Sequence, residues 1–374
     1  MKSNLLIFLI LLIEATVFAQ NKSALEFFNE NRIIGEVHNA YQSSDVIWSS
    51  RHYLNADFWI DYRNKKSNFR LFSNLGWLSG KSISDAIGDI YLASSIDGLD
   101  ALRIQNLWLS FQDSNESFEI RIGKQAVDDE FIITEKSNLF IHGAAAYVFT
   151  LSMNAPQWPA ASWAVYNRLK TGKNSNFLLG IYGSDPKVTD ESINTNGLDF
   201  DFNYSGIFTI AEWSQTGAGS ITKFGYFRDS NRFGYTEANQ NSLSALYFVH
   251  EKAINPHALG VKLTYHVSGS HVIDRKTAPI DYDIRAALFA EHNLNDKKFI
   301  VGLGYFYPHI SAAHEKANSY PLRSESFGEL TAKIDLSERL ALQISLQKIA
   351  GAGAYEYYNK ANSILGVMRF YFSF

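Results

Sequence analysis

Residues 363–374 read S-I-L-G-V-M-R-F-Y-F-S-F. In an extended chain successive side chains point to opposite faces. Phe370, Phe372 and Phe374 therefore share one face, while Leu365, Val367, Arg369 and Tyr371 share the other. Chain ends are usually frayed and polar, so a terminal strand this aromatic needs something greasy to face. Two settings supply it. One is the interior of a soluble two-layer sandwich; the other is a membrane barrel whose strands meet lipid on one side and carry aromatics at the interface.

The rest of the chain favours the barrel, because the same period of two recurs throughout. Leu340, Leu342, Ile344 and Leu346 alternate with Gln343, Ser345 and Gln347. Tyr282, Ile284, Ala286 and Leu288 alternate with Asp283 and Arg285, and Phe118, Ile120 and Ile122 with Glu119 and Arg121. Leu54, Ala56, Phe58, Ile60 and Tyr62 oppose Asn55, Asp57 and Asp61. Repeated over a whole chain, this pattern specifies strands with lipid outside and a polar lumen inside. Composition agrees. Aromatic residues make up 14% and charged residues only 19%, below the quarter or so of soluble domains, yet mean hydropathy is slightly below zero. After residue 13 no apolar run approaches the roughly 20 residues of a transmembrane helix. A formal charge of −4 leaves no basic footprint for nucleic acid.

Connections alternate between short, as around residues 63–66, 113–115, 171–175, 293–297 and 337–338, and long, as around 78–100, 126–161, 184–196, 269–281, 308–324 and 350–362. Outer-membrane barrels have short turns at the periplasmic end and long external loops. Keeping that alternation in phase requires residues 197–213 to form one long strand with a bulge near Gly206, where the apolar phase switches. The fold expected is all-β: a single antiparallel transmembrane barrel of about sixteen strands, an even number as closure demands.

The N-terminus carries Lys2, a short apolar core over residues 5–13 and Val17-Phe18-Ala19 ahead of a cleavage point. This predicts a signal peptide over residues 1–19, a lead-in over residues 20–31 and a barrel over residues 32–374. No cysteine is present, which removes disulfides, thiol chemistry and Cys-ligated metal. The ten histidines show no ligand spacing, and no segment pairs a nucleophile with a base. No metal, cofactor or catalytic residue is assigned.

Residues 85–170 carry the most distinctive run. Gly88-Asp89-Ile90 and Ala93-Ser94-Ser95-Ile96-Asp97 precede Arg103, followed by Arg121-Ile122-Gly123-Lys124-Gln125 and Asp128-Asp129-Glu130-Phe131. Asn138-Leu139-Phe140 and Pro159-Ala160-Ala161-Ser162-Trp163 complete it. In order and spacing it resembles the carbohydrate-selective outer-membrane porins of the OprB family. The resemblance implies a sixteen-stranded barrel that conducts sugars passively. The chain departs from that pattern at Ile141-His142-Gly143-Ala144, where many members carry Asn and Ser.

The residues themselves point to the same region. The connection over 126–161, after the fifth strand, is too long for a turn and long enough to fold into the lumen. Asp128, Asp129 and Glu130 place acceptors near Arg121 and Lys124, while Trp158 and Trp163 offer flat apolar faces. Sugars use both: carboxylates and guanidinium groups match hydroxyls, and ring C–H faces lie on aromatic planes. The candidate constriction is Arg70, Glu119, Arg121, Asp128, Asp129, Glu130, Trp158 and Trp163. The competing roles are a salt-bridge clamp for the acids, an interfacial belt for the tryptophans and wall-bracing for the arginines. The partners expected are sugars or other small polar solutes, outer-membrane lipid, the assembly machinery that reads Phe374, and further copies in a homo-oligomer. The alternative functions are a general pore, non-selective or weakly anion-preferring, and a closed structural barrel.

Overall fold

Strands with one greasy and one wet face satisfy both by closing into a cylinder. The computed structural model describes residues 25–42, 45–63, 67–89, 91–98, 100–145, 155–184, 197, 204–233, 241–254, 260–275, 278–294, 297–318, 324–352 and 361–374. Among them are β1 Leu25–Gln42, β2 Asp45–Arg63, β3 Ser67–Gly80, β4 Ala101–Asp113, β5 Phe118–Gln125, β6 Ser162–Gly172, β7 Ser175–Ser184 and β8 Gly206–Gly217. They are followed by β9 Ser220–Phe233, β10 Asn241–Ile254, β11 Lys262–Val272, β12 Ile280–Leu294, β13 Lys297–Ile310, β14 Ser326–Asp335, β15 Leu340–Ala352 and β16 Ala361–Ser373. Every strand pairs with its sequence neighbours and β16 returns to β1, so the barrel is closed. Closure satisfies the backbone groups that an open edge would leave bare in lipid. No helix among the described residues is long and apolar enough to span a membrane; the chain crosses with strands.

The terminal strand divides as its alternation requires. Phe370, Phe372 and Phe374 are exposed on the outer surface, whereas Leu365, Val367 and Arg369 are buried on the inner one. Past the last residues of β16, Phe374 and Asn31 exchange backbone hydrogen bonds of 3.1 and 3.3 Å, which ties the chain end to β1. Leu109, Ile122, Leu303, Ile344 and Leu346 continue the exposed apolar belt around the outside.

Two boundaries differ from expectation. Strand β1 begins at Leu25, so residues 25–31 belong to the wall, paired with β2 from Leu25↔Tyr62 onward. Their alternation is masked in the sequence by the polar run Asn29, Glu30, Asn31 and Arg32. Strand β8 begins at Gly206, opposite Ser184, and residues 198–203 lie outside those described. Upstream of it Tyr204 packs on Gly183, where an added Cβ would come within 2.3 Å of the ring. Tyr204 and Ser205 lie outside the ladder, the expected bulge falls partly outside the described residues, and the closed barrel has sixteen strands.

Two long connections turn inward and fill part of the lumen. The β3–β4 connection, here L2, contains helix α1 Ile83–Ile87, started by the Ser82 hydroxyl accepting from the Asp85 amide. The β5–β6 connection, L3, runs through short helical turns at Val127–Asp129, Ser137–Leu139 and Gly143–Ala145. The loops interlock: Ser95 donates from its amide to the Ile141 carbonyl at 2.7 Å, and Gly143 to Leu92 at 2.8 Å. Their apolar side chains have two footings. Ile83, Ile87, Phe140 and Ile141 pack on Phe289, Phe306, Phe327 and Leu365. Val127, Phe131 and Ile132 pack on Tyr166, Tyr182, Phe208 and Phe227. The inner wall is greasy where it carries a loop.

Candidate functional site

Wall carboxylates fix the position of L3. Glu212 on β8 accepts from the Ile132 amide at 2.7 Å and from the Tyr247 hydroxyl at 2.9 Å, while Lys223 lies 3.0 Å from its other oxygen. Glu329 on β14 accepts from the consecutive amides of Ile141 and His142 at 2.8 and 3.0 Å, and from the Ser345 hydroxyl at 2.8 Å. Both glutamates are 1% exposed. A buried carboxylate is costly unless its lone pairs are satisfied, and here backbone amides of the loop supply that satisfaction. Gln343 donates to the Leu139 carbonyl at 2.5 Å, and Arg285 to the Ala145 carbonyl at 3.2 Å. L3 thus hangs between β8 and β14.

Its first turn faces β5. Arg121 donates from one terminal nitrogen to Glu130 at 2.8 Å and from the other to Glu119 at 3.0 Å. Its guanidinium carbon lies 4.1 Å from the centre of the Trp108 ring and 4.9 Å from that of Tyr166. A guanidinium held between two rings and two carboxylates is a planar, fixed set of donors. Arg168 pairs with the other Glu119 oxygen at 3.2 Å, and Arg70 grips Asp61 through two bonds of 2.5 and 2.7 Å.

Two cavities meet at this point. The one toward the short-turn end, about 370 Å³, is lined by Asp61, Arg70, Ser110, Gln112, Glu116 and Glu119 among others. The one toward L2, about 340 Å³, is lined by Tyr53, Asn55, Asp57, Asn74, Gln105, Asp129 and Trp158 among others. Trp108, Arg121 and Glu130 line both, and so mark the waist of this passage. Six carboxylates (Asp57, Asp61, Glu116, Glu119, Asp129 and Glu130) share these linings with two arginines.

The sequence candidates therefore separate. Arg70, Glu119, Arg121, Asp129, Glu130 and Trp158 line the passage. Asp128 instead accepts from the Trp158 amide at 2.9 Å and buttresses the two ends of L3; it is absent from both linings. Burial raises its carboxyl to about 6. Desolvation, reinforced by Asp128 and Glu130, raises Asp129 to about 7. Trp163 lies on the outer face, in register with Lys124. Its parity on β6 is opposite to that of Tyr166 and Arg168, which reach inward.

Three passage residues that were not anticipated are Asp61, Trp108 and Tyr53. For Trp108 the signal was present, since Asn106, Trp108, Ser110 and Gln112 alternate with Leu107, Leu109 and Phe111. Phe72 stacks on Trp108 at 4.9 Å while Arg121 takes a position over its ring, so Trp108 braces the arginine. Trp158 meets Tyr53 edge to face at 5.4 Å and has the more accessible ring. Among the described residues no group of three or more acidic or histidine side chains is gathered as a metal site requires.

Comparison with known proteins follows this geometry. Residues 78–374 match the family model described as carbohydrate-selective porin, OprB family. No curated protein matches the chain. Among solved structures, the high-pH structure of OprB from Pseudomonas putida superposes with a TM-score of 0.79 at 14% identity, covering 93% of this chain and 94% of that one. OmpF of Salmonella typhi, in complex with daunomycin, gives 0.62 at 9% identity, covering 94% and 98%. The anion-selective porin from Comamonas acidovorans gives 0.56 at 11% identity, covering 94% and 100%. At such identities the likeness establishes the barrel alone.

Proposed function

The chain belongs to the carbohydrate-selective porin family of OprB, and from that premise we propose that Arg121, Glu119 and Glu130 are the groups that meet solute at the waist. The protein is an outer-membrane pore through which small sugars diffuse passively. Diffusion through a selective pore requires binding strong enough to favour loading and weak enough to permit release. The waist suits that requirement. Arg121 is immobilised by rings and carboxylates, so a passing sugar exchanges hydroxyl hydrogen bonds with a preformed set of donors and acceptors and orders few side chains. Trp158 and Tyr53 add apolar surface for ring C–H faces on the L2 side. The surplus of carboxylates favours neutral solutes over anionic ones, which separates this reading from an anion-preferring pore.

The observation that carries the proposal is the position of Arg121, shared by both cavities and clamped on four sides. Liposome swelling with a panel of sugars tests it. Arg121→Ala is expected to keep bulk permeability but flatten the discrimination between sugars. Unchanged discrimination in the folded variant would remove Arg121 from the role. The N-terminal pattern supports export with removal of residues 1–19, and the aromatic terminus at Phe374 supports recognition by the assembly machinery. No reaction is assigned to any residue; the work done is passive passage.

A further inference from the structure

Strand β4 carries a bulge beside the waist. Its pairing with β3 slips by one residue, with Asn106 opposite Asn74 and Ile104 opposite Leu75, so Gln105 has no partner in that ladder. A bulge breaks the strict alternation of a strand and re-aims a side chain. Here two consecutive amide residues, Gln105 and Asn106, are both buried and both line the lumen. A regular strand would turn one of them to the lipid side. Gly76 on β3 makes room, since an added Cβ there would collide with the Gln105 amide. Asn74, Gln105 and Asn106 all line the cavity on the L2 side of the waist, together with Tyr53 and Trp158.

The bonds these amides already make decide which ends are left over. Asn74 donates from Nδ2 to the Asp57 carboxylate and, at 2.6 Å, to Asn55 Oδ1. An ionised carboxylate only accepts, so the oxygen of Asn74 is its free end. The Tyr53 hydroxyl donates to Gln105 Oε1 at 2.8 Å, which leaves the nitrogen of Gln105 free. Among the described residues, Asn74 Oδ1, Gln105 Nε2, Asn106 Oδ1 and Arg121 Nε are buried without a hydrogen-bond partner. The three amide side chains belong to residues only 7, 2 and 8% exposed. Polar atoms buried unpaired are costly. Two acceptors and two donors around one cavity call for a ligand whose groups both donate and accept.

The cavity measures about 340 Å³, at the small end of ligand sites, which run roughly 300–1,000 Å³. A single pyranose suits it on both counts. Each hydroxyl donates one hydrogen bond and accepts others, and the ring C–H face meets the accessible ring of Trp158. Fixed amide ends also read configuration, because a missing or inverted hydroxyl leaves one of them unsatisfied.

We infer that Asn74, Gln105 and Asn106 form a monosaccharide subsite on the long-loop side of the waist, where the amides select the configuration of the sugar hydroxyls. This rests on the sugar-pore reading and adds to it a set of specificity residues that the clamp on Arg121 does not contain. A solute entering from the long-loop mouth meets the amides before the waist.

The test measures block of single-channel salt current in the full-length protein by glucose, galactose, mannose and the 2-, 3-, 4- and 6-deoxy forms of glucose. The variants are Gln105→Met and Asn106→Leu, which keep side-chain bulk and remove the free polar end. In the parent, loss of at least one hydroxyl is expected to raise the half-blocking concentration about tenfold, the scale of one buried hydrogen bond. In at least one variant, block by glucose should weaken about tenfold while block by that deoxy sugar stays at the parent's level. Such non-additivity identifies amide and hydroxyl as partners, and a merely structural role would not produce it. Gln215→Met, which alters an exposed glutamine on β8 outside both cavities, should match the parent throughout. Losses that simply add for every deoxy sugar in both variants, or a parent that treats all seven sugars alike, would overturn the subsite and leave the sugar pore standing. Absence of block by any sugar would overturn both. Salt current without sugar verifies that each variant forms a channel. Where one variant makes none, the other decides; failure of both would mark the amides as barrel-building and overturn the inference.

Discussion

Asp128 and Asp129 are adjacent carboxyls at the first turn of L3 with different tasks. Asp128 holds the Trp158 amide at 2.9 Å; Asp129 lines the passage beside Glu130. Burial raises the first to about 6, and enclosure with its acidic neighbours raises the second to about 7. A raised carboxyl means the folded loop holds protons that the released loop would give up. The resulting stabilisation is fully present below the ordinary aspartate value near 4 and is lost as pH climbs through 6 to 7. L3 is therefore expected to sit tightest in acid and loosen toward pH 8. Open-channel current noise should rise between pH 5 and pH 8, and the double substitution Asp128→Asn with Asp129→Asn should abolish the rise. Noise that is flat or falling across that range would contradict the assignment. The sequence placed both acids in one sugar-contacting group because adjacency in the chain conceals which oxygen turns back to the backbone.

At the scale of elements, L3 is held by a wall it joins in sequence nowhere near the contact. Glu329 receives two loop amides from residues 187 and 188 positions away. Glu329→Gln keeps the shape but removes one acceptor and turns an NH₂ toward a backbone N–H. Each lost bond to a charged group is worth about 1.5–3 kcal/mol. The barrel should still assemble and shift on heating, but its channel should be noisier and should admit larger neutral polymers than the parent. A quiet channel with the parent's size limit would show that L3 stands without this support. Strands were legible because alternation is local. The face of Trp163 was legible too, since it shares parity with Val165 and Leu169 on β6, but the motif it closes drew it into the constriction. The glutamates that support L3 were not legible. A lone inward glutamate on a distant strand looks the same whether it meets water or a loop.

The whole molecule follows from one segregation, greasy residues outward and wet residues inward, with two inner patches given back to apolar side chains so that L2 and L3 can anchor. Those anchors narrow a wide barrel to a passage whose waist is Trp108, Arg121 and Glu130. Counting strands from sequence succeeded because short and long connections alternate; locating the start of β1 failed because the polar run at residues 29–32 hides its alternation. The central claim is that this waist recognises sugar while water and salt pass. Single-channel salt current titrated with glucose measures it most directly. The account predicts a saturable reduction of current in the parent that weakens at least about tenfold in Arg121→Ala, the loss of one charge-assisted contact. A current indifferent to glucose at every concentration, or reduced equally in both proteins, would contradict it.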